Sequence, residues 1–143
     1  MIYYSPLHTM IQKKILVIDD EQDIRDSIKR ILTAAGYFVL TTGNLRNAVK
    51  MLAEDATFDL ITCDIMIPEM GGFELIDEIK ADPEYTHIPV LMVTGMDVGI
   101  LKMTTHLADD VLPKPFTSEQ LLLKVKTLLE GTFTKSQRPS VDA

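Results

Sequence analysis

Five short apolar runs, each closed by polar residues and separated by stretches of helical period, restrict this chain to few folds. The runs are Ile15-Leu16-Val17-Ile18, Tyr37-Phe38-Val39-Leu40-Thr41-Thr42, Phe58-Asp59-Leu60-Ile61-Thr62-Cys63, Ile88-Pro89-Val90-Leu91-Met92-Val93 and, shortest, Asp109-Asp110-Val111-Leu112. Runs of this length, rich in β-branched and aromatic residues, read as buried strands. The stretches between them carry a helical stripe. After the first run, Ile24, Ile28, Ile31, Leu32 and Ala35 fall at i, i+4, i+7, i+8 and i+11, and Gly36 follows in the position of a helix-ending glycine. Leu45, Ala48, Val49, Leu52 and Ala53 repeat the pattern, and so do Phe73, Leu75, Ile76 and Ile79 before Asp82-Pro83. A fourth, weaker stripe lies in 96–107, interrupted by Gly99. A fifth comprises Leu121, Leu122, Val125, Leu128 and Leu129, with Leu123 off the stripe.

Strict alternation of strand and helix implies βαβ units, right-handed crossovers and a parallel sheet covered on both faces. Strands buried on both faces also explain why these runs are continuously apolar rather than alternating. The expectation is an α/β domain of five parallel strands and five helices. Asp20 or Glu21 is a candidate cap for the first helix, and Thr117 or Ser118 for the last.

With 46% hydrophobic and 24% charged residues, the 143-residue chain has the composition of one globular domain rather than a disordered segment. Its net charge of −7 argues against a nucleic-acid face, which would have to be basic. The single cysteine, Cys63, lies inside a strand and reads as a core residue. It allows neither an internal disulfide nor a cysteine metal cluster, which fits a reducing compartment. No apolar run approaches the ~18 residues of a membrane span, and the N-terminus lacks the pattern of a signal peptide. A cytoplasmic protein is expected, with an N-terminal extension at 1–12, a domain at 13–130, and a tail or the start of a linker at 131–143.

In a parallel sheet all strand C-termini share one edge, where ligands bind in open α/β folds. Four of the five strands end there in polar residues: Asp19-Asp20, Asp64, Thr94 and Lys114. Any one of them has a bland reading, Asp64 as a loop cap and Lys114 as a surface lysine. Four complementary groups converging on one edge are harder to assign to capping. Clustered carboxylates without His or Cys favour a hard, oxygen-ligated cation, Mg²⁺ first. A carboxylate can also attack phosphorus to form an aspartyl phosphate. Metal, ammonium, hydroxyl and backbone N–H donors are what stabilise a phosphoryl group in transfer. Asp64 as acceptor, Asp20 for Mg²⁺, Lys114 as counter-charge and Thr94 as donor make such a set.

The motifs Ile15-Leu16-Val17-Ile18-Asp19-Asp20-Glu21, Asp64-Ile65-Met66-Ile67-Pro68-Glu69-Met70-Gly71-Gly72, Val93-Thr94-Gly95 and Ala108-Asp109-Asp110-Val111-Leu112-Pro113-Lys114-Pro115-Phe116 resemble, in order and spacing, the receiver domain of two-component response regulators. The separations of 44 positions from Asp20 to Asp64 and 30 from Asp64 to Thr94 match as well. The resemblance implies a flavodoxin-like sheet in 2-1-3-4-5 order. It makes Asp64 the phosphoacceptor and Asp20 a direct Mg²⁺ ligand, with Asp19 acting through water and the Met66 carbonyl completing the metal's protein ligands. Thr94 and the Gly95 N–H would receive phosphoryl oxygens. Lys114 would pair with the phosphate, and the Lys114-Pro115 bond would be cis. The implied donor is a phosphohistidine on a sensor histidine kinase or phosphotransfer protein. A homodimer or effector contact would use the fourth and fifth helices. The chain would catalyse only its own phosphorylation and dephosphorylation, and so would not be an enzyme acting on others.

The chain departs from the family's pattern in three places. Val111 stands where an aromatic switch residue is usual. Thr94 and Lys114 are 20 positions apart, shorter than the family's habit, so the fourth helix or its loop is expected to be shortened. Met66 and Met96 flank the acceptor and are expected to shield an aspartyl phosphate from water, an idea that fails if Met66→Asn leaves the dephosphorylation rate unchanged. Val98, Ile100, Leu101, Met103, Val111 and Leu123 form a candidate partner face. The competing class is a protein-interaction module that keeps the fold and works without phosphate. A phosphatase with an Asp nucleophile is disfavoured, because Met66 stands where its general acid would be.

Overall fold

The computed structural model describes residues 12–55, 57–64, 72–95 and 108–131. Within them the chain forms β1 (Lys14–Ile18), α1 (Gln22–Ala34), β2 (Phe38–Thr42), α2 (Leu45–Glu54), β3 (Leu60–Cys63), α3 (Gly72–Ala81), β4 (Val90–Thr94), β5 (Asp110–Pro113) and α4 (Ser118–Glu130). All five strands belong to one parallel sheet of order β2-β1-β3-β4-β5, as expected. Four helices are present among the described residues. The expected helix over 96–107 lies outside them, as do Met66, Met96, both chain ends and most of the candidate partner face.

The strands' continuous apolar runs divide between two cores by the twofold alternation of side chains. Leu16 and Ile18 of β1, Ile61 and Cys63 of β3, and Val90 and Met92 of β4 pack with Leu45, Ala48 and Leu52 of α2 and with Leu75, Ile76 and Ile79 of α3. Their neighbours Ile15, Val17, Leu60, Leu91, Val93 and Leu112 pack on the other face, with Ile28 and Leu32 of α1 and Leu121 and Val125 of α4. Cys63 is buried and free, as a core residue should be. Val111 is half-buried and packs against the α2–α3 core. Leu123, off the helical stripe, is 66% exposed.

The helix ends follow local chemistry. Gly36, at φ 99°, takes the left-handed conformation that ends α1. Asn44 caps α2 through Oδ1, which accepts from the Asn47 N–H at 3.0 Å. Thr117 begins α4 with a capping box: its hydroxyl accepts from the Gln120 N–H, and the Gln120 side chain accepts from the Thr117 N–H. The start of α1 differs from expectation. Glu21 occupies the N-cap position but makes no side-chain cap. Asp19 Oδ1 instead accepts from the Glu21 N–H at 2.9 Å. The carboxylate two residues earlier, at the strand end, thus serves the first amide of the turn that leads into α1.

At the N-terminal edge of the sheet, Lys80 of α3 and Asp109 form a part-buried ion pair at 2.6 Å. Asp109 Oδ2 also accepts from the Val90 N–H at 2.8 Å, and Lys80 donates to the Ile88 carbonyl at 2.9 Å. This network ties α3 to the starts of β4 and β5, opposite the edge where the polar strand ends collect.

Candidate functional site

Register brings the strand-end acids together. Ile18 of β1 pairs with Cys63 of β3, so the next residue of each strand, Asp19 and Asp64, leaves the sheet at the same level. The Asp64 N–H donates to the Ile18 carbonyl at 3.1 Å and holds the two ends side by side. On the other side of β3, Thr94 pairs with Pro113, and the Lys114 N–H donates to the Thr94 carbonyl at 2.9 Å. The Lys114-Pro115 peptide is cis.

One carboxylate oxygen from each of Asp19, Asp20 and Asp64 lies within 4.8 Å of the other two. Asp19 and Asp64 are buried, at 1% and 4% exposure, while Asp20 faces solvent. The Lys114 ammonium enters this cluster, 2.7 Å from Asp64 Oδ2 and 2.8 Å from Asp19 Oδ2, with Glu21 Oε1 at 3.2 Å. Thr94 is fully buried at the end of β4, and Gly95 is exposed. A Cβ on Gly95 would meet nothing within 4 Å.

The electrostatics of the cluster are those of charge out of balance. Burial pushes the Asp19 carboxyl above its ordinary value, and the nearby Lys114 ammonium and the Glu21 N–H offset this only in part. Burial would lower the Lys114 pKa, but its bonds to Asp19 and Asp64 outweigh burial and hold it above the ordinary lysine range. The Cys63 thiol is pushed up by burial and by the Asp64 and Asp19 charges, so it stays a neutral core group.

For Asp19 the sign of the pH dependence follows. A carboxyl whose folded pKa is raised contributes stability that is fully present below the unfolded value, about 3.9, and lost as pH rises through the folded one. Asp19→Asn is therefore expected to stabilise the fold at pH 7 and to flatten its stability between pH 4 and 7. Urea denaturation across that range checks this, and a destabilised Asp19→Asn at pH 7 would contradict it.

The donor set fits a hard divalent cation. Three carboxylates converge, and Asp19 Oδ2 is buried without an aligned hydrogen bond, although Lys114 lies at ion-pair distance. An oxygen in that state needs more positive charge than one ammonium shared among acids provides.

Of the residues expected at the site, the structure brings Asp19, Asp20, Asp64 and Lys114 together and places Thr94 and Gly95 at the adjoining strand end. Val111 lies within β5, and Met66 is outside the described residues. Two contributors were not expected. Glu21, a candidate helix cap and the last residue of the first acidic motif but not a predicted site residue, reaches Lys114. Arg25 of α1, outside every motif singled out above, donates from Nη1 to the Asp19 carbonyl at 2.7 Å. The available signal was its place one turn beyond the acidic run, where a helix returns side chains to the same end.

These features place the chain among doubly wound α/β domains with an acidic cluster and a lysine at the C-terminal edge of the sheet. Within that class, this chain belongs to the response regulator receiver domain family, whose model matches residues 15–126. It is similar to response regulator MprA of Mycolicibacterium vanbaalenii, with 34% identity over 122 residues, covering 83% of this chain and 51% of the relative. The same protein of Mycobacterium avium is 33% identical over 131 residues, covering 90% and 56%. The chain thus spans about half the length of these curated relatives. Among solved structures it resembles chemotaxis response regulator CheY4 of Vibrio cholerae (TM-score 0.76, 33% identity, covering 83% of this chain and 100% of the other). It also resembles response regulator TrrA of Thermotoga maritima, solved in complex with Mg²⁺-BeF (TM-score 0.74, 31% identity, covering 82% and 100%). Family membership places the chain in two-component signalling. Among the described residues, no helix is long and apolar enough to cross a membrane.

Proposed function

We propose that this chain is a phosphorylation-controlled switch in which Asp64 accepts a phosphoryl group from a phosphohistidine of a sensor kinase or phosphotransfer protein. The observation that carries this reading is the Lys114 ammonium held between Asp19 and Asp64 beside an acidic cluster at the sheet edge. In the transfer, an Asp64 carboxylate oxygen forms a P–O bond as the P–N bond of the phosphohistidine breaks, and the imidazole leaves. Asp19 and Asp20, with Asp64, would hold Mg²⁺, joined by the Met66 carbonyl. When bound, the ion supplies positive charge to the acceptor and the phosphoryl oxygens. Lys114, already hydrogen-bonded to the acceptor carboxylate, would exchange that partner for a phosphoryl oxygen. The Thr94 hydroxyl and the Gly95 N–H would take the others. The chain promotes only its own phosphorylation and dephosphorylation.

Phosphorylation adds about −1.5 to −2 charges at a site that already has excess acid, which gives the local electrostatics a reason to rearrange. Thr94 and Lys114 are joined through the β4–β5 ladder, so their movement toward phosphate is carried into β5. Val111 has no ring to swing inward. The output would therefore leave through backbone and helix displacement, toward an effector or a second copy of the chain.

Beryllofluoride with Mg²⁺, followed by NMR, tests this reading. We expect shifts centred on residues 19–20, 64, 94–95 and 114 that vanish in Asp64→Asn, and a matching gain of one phosphoryl mass with acetyl phosphate. Native folding with neither adduct nor Mg²⁺ binding would instead favour a module that binds partners without phosphate.

A further inference from the structure

We infer that Arg25 is a positioning residue for the cation site, acting through the main chain of Asp19, and that Gly43 is glycine because it makes room for the guanidinium. The inference rests on the receiver reading above. Arg25 lies half-buried in α1, and its Nη1 donates to the Asp19 carbonyl at 2.7 Å. The Asp19 N–H donates to the Thr42 carbonyl at 3.1 Å, and Asp19 Oδ1 accepts from the Glu21 N–H at 2.9 Å. The peptide groups on both sides of the Asp19 Cα are therefore pinned, and so is one carboxylate oxygen. The other, Oδ2, is left in a defined place beside Lys114 as the buried oxygen without an aligned hydrogen bond. Fixing a ligand residue through its outer partners is what sets a metal site's geometry before the ion arrives.

Gly43 follows the last residue of β2. A Cβ there would lie 2.6 Å from Arg25 Nη1 and 3.4 Å from the Asp19 carbonyl oxygen. Gly36, by contrast, needs its glycine for a positive φ and has open space around it. At Gly43 the constraint is room: any side chain would push the guanidinium off the carbonyl it holds. The displaced group is the far end of a flexible side chain, so the fold can absorb the change while the bond to Asp19 is lost.

Arg25 also carries positive charge near a site for cations, and this makes the test decisive in sign. If the guanidinium acted only through its charge, removing it would tighten cation binding. If it acts by positioning, removing it weakens binding, typically by tenfold or more for lost outer-shell partners.

The experiment titrates Mg²⁺ alone into the full chain, wild type, Arg25→Ala, Gly43→Ala and the double variant, with affinity read by NMR shifts and thermal midpoints measured in parallel. We expect each single variant to weaken Mg²⁺ about tenfold and the double variant to be no weaker than the worse single one. Unchanged or tighter binding in Arg25→Ala, or losses that add in the double variant, would overturn the inference while leaving the site itself intact. A wild type that takes up no Mg²⁺ would bring down the reading of the acidic cluster and this inference with it. Should Arg25→Ala fail to fold, Gly43→Ala alone decides, because it displaces the guanidinium without removing its packing.

Discussion

Lys114→Ala is expected to lower the free energy of unfolding at pH 7 by about 3–5 kcal/mol, the usual result of removing one partner from a buried charge cluster. The side chains it would leave behind are nearly inaccessible, at 2% exposure for Asp19 and 5% for Asp64. One carboxylate oxygen from each of them and one from Asp20 lie within 4.8 Å of one another. Without the ammonium, burial and repulsion act on Asp19 with less to offset them, and its carboxyl pKa, already raised, moves further up. The loss should therefore shrink as the pH is lowered toward about 4, where protonation removes the repulsion. Millimolar Mg²⁺ should restore part of it at pH 7. In the wild type the lysine works in the other direction. Its raised pKa means that its stabilisation is complete below the unfolded value, about 10.4, and is lost as pH rises through the folded one. Urea denaturation of both proteins at pH 7 and pH 4.5 measures the difference. A variant as stable as wild type at pH 7 would mean that solvent already screens the acids.

An effect of similar size is expected at the opposite edge of the sheet. Asp109→Ala removes the carboxylate that Lys80 and the Val90 N–H share at 2.6 and 2.8 Å. The Asp109 side chain is 3% exposed and that of Lys80 16%. The substitution leaves a poorly solvated ammonium without its carboxylate, though still bonded to the Ile88 carbonyl, and a strand amide without its acceptor, a loss of about 3–5 kcal/mol. That corresponds to a fall in Tm of about 10–20 °C for a domain of this size. Asp109→Asn keeps an acceptor for Val90 and should cost less. Asp109 and Lys114 sit at opposite ends of β5, about 3.3 Å per residue apart along the strand, so the two losses should add. Mg²⁺ affinity should be unchanged in Asp109→Ala, which calorimetry can check. A change in affinity would instead show coupling between the two edges through β5.

Most of the architecture was legible in the sequence because it rests on local signals. Ile15 to Ile18 are too short and too β-branched to form a helix. Ile24, Ile28 and Leu32 can share a face only in one. Gly36 and Thr117 stand where helices end and begin. The convergence of Asp19, Asp64, Thr94 and Lys114 was equally legible, since a parallel sheet leaves one edge for the C-termini of its strands. Family motifs then supplied the strand order, which periodicity alone does not contain.

What only tertiary structure decided is how those groups meet. Register, with Ile18 opposite Cys63, sets the two acids side by side. The lysine's position between them depends on β5 lying two places from β3, beyond β4, while β1 lies on β3's other side. Glu21 was read as a helix cap and is a third acid at Lys114, beside Asp19 and Asp64. Arg25 belonged to no motif and is bound to the Asp19 carbonyl. Lys80 and Asp109, separated by 29 positions, carried no local sign of pairing. The physical reason is common to all three. A side chain's helical face is fixed by period, but its hydrogen-bond partner is fixed by which buried polar group lacks one, and that is known only when distant segments have packed.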